Sequence, residues 1–355
     1  MGNIFSTVQP ASFQSFYPQL GSDLTRIRDN QCNLTDATYR SSIAASDTRE
    51  RCRIVLDCIL DNASEVTKGE MATTSIVLGL TPTVLFMMGS STVELCMLST
   101  QRPLLALCIT LGSPMVWPMR PFQQIDLRDE MRPRDQRRTI PTMGPLARIA
   151  VTVLQYALVL GSIANVASIA YELGTKSISF GFSCNERYGP LLWVFLAAAV
   201  HLVGLIGFVS RLRHPSTKST GTRHTLSTWL RSETTPCISH QQRDIIWKPE
   251  SAWYLFFSFC ASTATAIHMV LGIATLGSVQ LVGATDARTI IGRFLASALV
   301  CRCVLMFELA GLRERLHVVV EGEHQDDSDS IWLSERPRPT QQRRSRTTPA
   351  RYGVI

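Results

Sequence analysis

The stretch LGLTPTVLFMMGSSTVELCMLSTQRPLLALCITLGSPMVW, residues 78–117, is apolar almost throughout and carries two ionisable residues, Glu94 and Arg102. About twenty apolar residues cross the hydrocarbon core of a bilayer. The run over 73–93 meets that length, and Pro82 with Gly79 predicts a kink that neighbouring helices must accommodate. The apolar part after Arg102, residues 103–117, is shorter. It either crosses as a second span or re-enters, and the choice decides which face of the membrane holds the N-terminus.

Working outward, four more apolar blocks of spanning length follow, at 149–171, 190–210, 252–275 and 289–310. The expected fold is therefore all-α, a polytopic helical membrane protein with about six transmembrane helices. Hydrophilic loops cover 118–148 and 211–251. Of the 355 residues 45% are hydrophobic and 18% charged, and the charges fall almost entirely between the blocks. That distribution favours a lipid bilayer over nucleic acid as the partner of a chain of net charge +7. Trp117, Trp193, Trp247 and Trp253 fall near block ends, as interfacial anchors do.

Residues 1–72 form a polar N-terminal region. Residues 1–45 read as loop or weakly ordered structure, and 47–67 as an amphipathic helix with Asp47 as N-cap and Cys52, Val55, Ile59 and Val66 near one face. The first twenty residues have neither the basic start nor the apolar run of a cleavable signal, so insertion is expected to use the internal segments. The tail 311–355 carries an acidic stretch and then a Pro/Arg-rich one, a composition that predicts disorder.

Lys and Arg mark the cytosolic face. With six crossings and a cytosolic N-terminus, the inside segments hold 29 Lys/Arg and the outside loops four. With 103–117 re-entrant, only the N-terminal region changes sides, and its 7 basic residues are offset by 9 acidic ones. The cleaner bias leads us to expect six spans with both termini cytosolic. MGNIFS at the N-terminus matches the myristoylation pattern at Gly2, a cytosolic modification. Asn33 and Asn62 head glycosylation sequons, which work only in the lumen. Asn33 is the better acceptor, because Asn62 sits close to the first span.

Ionisable and polar residues inside spans are the natural functional candidates. They are Glu94, Asn165, His201, His268 and Arg302. Arg302 needs a counter-ion, which Glu94 or Glu308 could supply. The competing explanation is local: a histidine that hydrogen-bonds a neighbouring helix, an arginine that snorkels. A transporter should gather at least three of Glu94, His201, His268 and Arg302 around one cavity; a scaffold should scatter them among packing contacts. No HExxH, GxSxG or GxxxxGK[ST] is present, so no catalytic residue or cofactor is assigned. Of the ten cysteines none forms a CxxC pair, and Cys237 with His214, His224 and His240 lacks metal-site spacing, so no metal is assigned either. Basic loops and tail suit contact with anionic lipid headgroups.

The run CRIVLDCILDNASEVTKGEM (52–71), the LGLTP of the first span (78–82), the GSSTVE stretch (89–94), the RPLLA segment (102–106) and the GSP after it (112–114) resemble a group of multi-pass integral membrane proteins of filamentous fungi. The resemblance covers residues 50–125. It implies a polytopic protein of the plasma membrane or an endomembrane, and it implies no activity, since none is assigned to the group. The function read from the sequence is a non-enzymatic membrane protein, a sensor or scaffold working through its cytosolic loop and tail. A transporter or channel with a polar intramembrane site is the alternative.

Overall fold

The computed structural model describes residues 12–41, 48–117, 144–179, 188–213, 226–239, 243–248 and 250–320. Gly2, most of loop 118–148, the loop histidines and the tail beyond 320 lie outside them. Among the described residues five helices are long and apolar enough to cross a membrane: α4 (Glu65–Met88), α7 (Pro145–Lys176), α8 (Gly189–Arg211), α10 (Ala252–Gly277) and α11 (Ala284–Arg315). Only 28–44% of each apolar window is buried in the bundle. Ile76, Leu80, Met87, Leu192, Phe256, Ile267 and Val270 stay exposed on its flanks. An apolar surface of that extent suits lipid rather than water around it. The chain fits an integral membrane protein.

Three short helices precede the bundle: α1 (Pro18–Asn30), α2 (Asn33–Ser41) and α3 (Thr48–Asn62). They share a core of Leu20, Leu24, Ile27, Tyr39, Cys52, Val55, Leu56 and Ile59, tied by a disulfide between Cys32 and Cys58. This head corrects the reading of residues 1–45 as loop: Pro18 opens α1, and Leu20, Leu24 and Ile27 recur at helical spacing on its buried face. The amphipathic helix read over 47–67 in fact ends at Asn62. Ser64 turns extended and caps α4 by accepting from the Thr67 N–H at 3.1 Å. Cys52, Val55 and Ile59 are buried as read, whereas Val66 belongs to α4 and is 82% exposed. Asp47 lies outside the described residues.

The head sits on one end of the bundle. Ile178 and Leu281 join its core, and Gln19 and Glu70 bond to the start of α11 at Thr285 and Ala284. At that end β3 (Ile178–Ser179) pairs antiparallel with β6 (Val279–Gln280). At the far end β4 (Leu212–Arg213), β5 (Arg243–Trp247) and β7 (Leu316–Val320) form a three-stranded sheet. The first ten residues of the expected disordered tail are therefore ordered, as the end of α11 and β7.

The segment 103–117 departs from the expectation of a span. Its helix, α6 (Pro103–Gly112), has 10 residues and is about 15 Å long, half of a ~30 Å hydrocarbon core. α4 stops at Met88, and α5 (Thr92–Ser99) starts after a two-residue strand, Ser90–Ser91. That strand, β1, pairs in parallel with β2 (Val116–Trp117): Ser90 opposes Val116 and Ser91 opposes Trp117. The chain thus returns at Trp117 to the level it left at Ser90, so α5 and α6 form a hairpin that adds no net crossing. Gly89 permits the approach, since a Cβ there would lie 2.5 Å from the Met115 carbonyl. Every residue of α5 is buried, so this irregular backbone is covered by protein, the condition for tolerating it in a membrane. With five crossings the head and β7 lie at opposite ends, not on one face as six crossings would have them.

Candidate functional site

The helix restart at Ser91 brings the first candidate pair together. The Ser91 side chain accepts from the Val93 N–H at 3.2 Å, and the Glu94 carboxylate accepts from the Ser91 N–H at 2.9 Å, a reciprocal cap. The same carboxylate takes Arg302 of α11 in a two-pronged ion pair: Nη1 to Oε2, and Nη2 to Oε1 at 3.1 Å. Arg302 lies past the middle of its helix, about 27 Å from its first residue at ~1.5 Å per residue. The cation and its counter-ion therefore meet inside the bundle, and of the two partners read from the sequence Glu94 is the one used.

The other candidates go elsewhere. Asn165 of α7 is shared with Arg293 of α11: its Oδ1 accepts from Arg293 Nε at 2.9 Å, and its Nδ2 donates to the Arg293 carbonyl at 3.0 Å and to Ser297 Oγ at 2.8 Å. Arg293 also reaches Ser168 Oγ and Glu172. His201 of α8 faces Ser99 Oγ at 3.3 Å. His268 of α10 meets the Trp193 carbonyl at 2.8 Å, while the Trp193 indole N–H donates to the His268 carbonyl at 3.1 Å. The five candidates form separate contacts between helices, and only Glu94 and Arg302 share one.

The densest polar cluster is one the sequence reading missed. Arg102, at the hairpin tip, is fully buried and pairs with Glu308 of α11 at 2.9 Å. Its Nη1 also donates to Gln155 Oε1 at 2.6 Å, and its Nε to the Glu233 carbonyl at 3.0 Å. Glu233 ends α9 (Leu226–Glu233), a helix in the polar loop 211–251. Its carboxylate accepts from the Leu105 N–H at 2.8 Å, capping α6 from outside, and from the Tyr156 hydroxyl at 2.6 Å. Glu308 accepts in turn from the Cys237 N–H at 2.9 Å and from Gln155. Burial, with Glu308 beside it, pushes the Cys237 thiol well above its ordinary range. Arg102 Nη2 and Glu233 Oε2 have no hydrogen-bond partner among the described residues. The visible signal was an arginine between two apolar runs and a glutamate in the last block; reading Arg102 as an outside loop residue hid their meeting.

Chemically these sites join elements. Among the described residues no three His, Cys, Asp or Glu side chains converge as metal ligands. A cavity of about 420 Å³ lies in the head, lined by Asp23, Arg26, Asn30, Asn62 and Thr67 among others, and none of the intramembrane candidates lines it. Glu94→Gln keeps an acceptor for the Ser91 cap but leaves Arg302 uncompensated. It is expected to lower stability by about 3 kcal/mol, the scale for an arginine at mid-membrane. Adding Arg302→Met should recover most of the loss, as thermal unfolding of both variants in one detergent will read. No family model, curated protein or solved structure matches the chain.

Proposed function

We propose that this membrane protein is non-enzymatic and acts as a sensor or scaffold, holding ordered polar structure at both ends of its bundle. The observation that carries the reading is the dispersal of the intramembrane polar residues. Glu94 and Arg302 neutralise each other, His201 and His268 bond to separate helices, and none of them lines the described cavity. Meanwhile the polar loop is docked on the hairpin tip through Glu233, Glu308 and Arg102. A loop held in that way can report changes in the bundle to whatever binds it. Anionic headgroups are the proposed further partner of the basic segments. The resemblance to fungal multi-pass proteins remains part of this proposal, with a plasma-membrane or endomembrane location. Its GSSTVE and RPLLA motifs fall on the helix interruption and the hairpin tip.

One observation favours the transporter alternative: the first long helix is interrupted inside the bundle, beside an ion pair, and interrupted helices form the ion sites of many transporters. Reconstitution separates the two. Liposomes carrying the purified chain are expected to be no more permeable to protons, Na⁺ or K⁺ than empty ones. A flux that Glu94→Gln abolishes would establish the transporter reading instead.

A further inference from the structure

We propose that the helical head faces the exoplasmic side and that Asn33 carries an N-linked glycan. The inference rests on the chain being a membrane protein, and not on its acting as a sensor or scaffold.

Three independent observations converge. The return of the chain at Ser90–Val116 leaves five crossings, so the head and the α9, β5 and β7 segments occupy opposite faces. Charge then orients the molecule. Segments 118–148, 211–251 and 312–355, which lead to or from the far end, hold 22 Lys/Arg, whereas the head end holds 10: seven in residues 1–72, which nine acidic residues offset, and Lys176, Arg187 and Arg288. Positive charge in flanking loops stays cytosolic, which puts the head outside. The cysteines sort the same way. Cys32 and Cys58 are bridged and Cys52 is disulfide-bonded, all in the head. Cys96, Cys108, Cys237, Cys260, Cys301 and Cys303 are free, in the bundle or at the far end. Disulfides persist in the lumen and outside the cell, and thiols stay reduced in the cytosol.

Asn33 is the first residue of α2, exposed, with Thr35 completing the sequon. A glycan there points into solvent. Asn62 is exposed too, but its Nδ2 donates to the Cys58 carbonyl at 2.9 Å and it lines the head cavity, so Asn33 is the acceptor we assign. The same orientation removes Gly2 from the cytosolic acylation machinery.

The test is an endoglycosidase gel shift on the full chain made in eukaryotic cells, beside protease protection of an N-terminal epitope tag in sealed microsomes. The proposal expects a protected tag and a shift that Asn33→Gln removes and Thr35→Ser, which keeps the sequon, retains. A tag digested from the cytosolic side overturns the orientation. A protected tag without a shift, or a shift that survives Asn33→Gln, overturns the assignment of the glycan to Asn33.

Discussion

Replacing Arg102 by methionine is expected to destabilise the protein by about 3–5 kcal/mol, the range for breaking a buried ion pair from one side. Methionine approximates the length of the side chain but leaves the Glu308 carboxylate buried with no cation. It also removes the donors that Gln155 and the Glu233 carbonyl now use. A second variant separates the pair from its surroundings. Arg102→Met with Glu308→Gln should lose clearly less than the two single changes added together, because the second substitution removes the charge that the first left unpaired. Thermal unfolding in one detergent measures both. Additive losses would mean that Arg102 and Glu308 act separately, against the geometry. The regional prediction is as specific: Arg102→Met should raise hydrogen exchange in 226–239 before it does so in α7 or α10, since α9 and Cys237–Ser239 are held at the hairpin tip through Glu233 and Glu308.

Cys58→Ser is expected to cost the head about 3–4 kcal/mol, from the chain entropy that a bridge closing 26 residues removes from the unfolded state. The loss should be local. The head contains its own core of Leu24, Tyr39, Cys52, Leu56 and Ile59, and meets the bundle through Met71, Ile178, Leu281 and the Gln19 and Glu70 hydrogen bonds. Hydrogen exchange should therefore rise across α1–α3 while α8 and α10 keep their protection. A uniform rise through all helices would show that head and bundle unfold as one unit.

Part of the candidate site was legible in the sequence for a simple reason. A charge within an apolar block needs a counter-charge, and Arg302 had only Glu94 and Glu308 as near candidates. Which of them it takes depends on depth along the bundle, and depth follows from where α4 breaks. The break depends on Gly89, which admits the Met115 carbonyl, and on Ser91 and Glu94, which restart the helix. Serine and glutamate three residues apart were visible as a cap signal, but apolar residues on both sides made the stretch look continuous. The head was missed for a related reason: α1 and α2 are short helices whose burial comes from each other and from distant loops, so hydropathy alone did not distinguish them from loop.

The sequence by itself determined the class of the protein, because blocks of apolar residues long enough to cross a bilayer cannot be stably folded in water. It also determined where charge could not lie, and hence the short set of intramembrane polar candidates. Tertiary structure decided what those residues touch and which segments share an end of the bundle. A ten-residue helix and a two-residue strand pairing are set by contacts between segments 25 residues apart, and by the fit of Arg102 among Glu308, Gln155 and Glu233, which are far apart in the chain. Local periodicity does not encode such meetings. They exist only once the helices are packed.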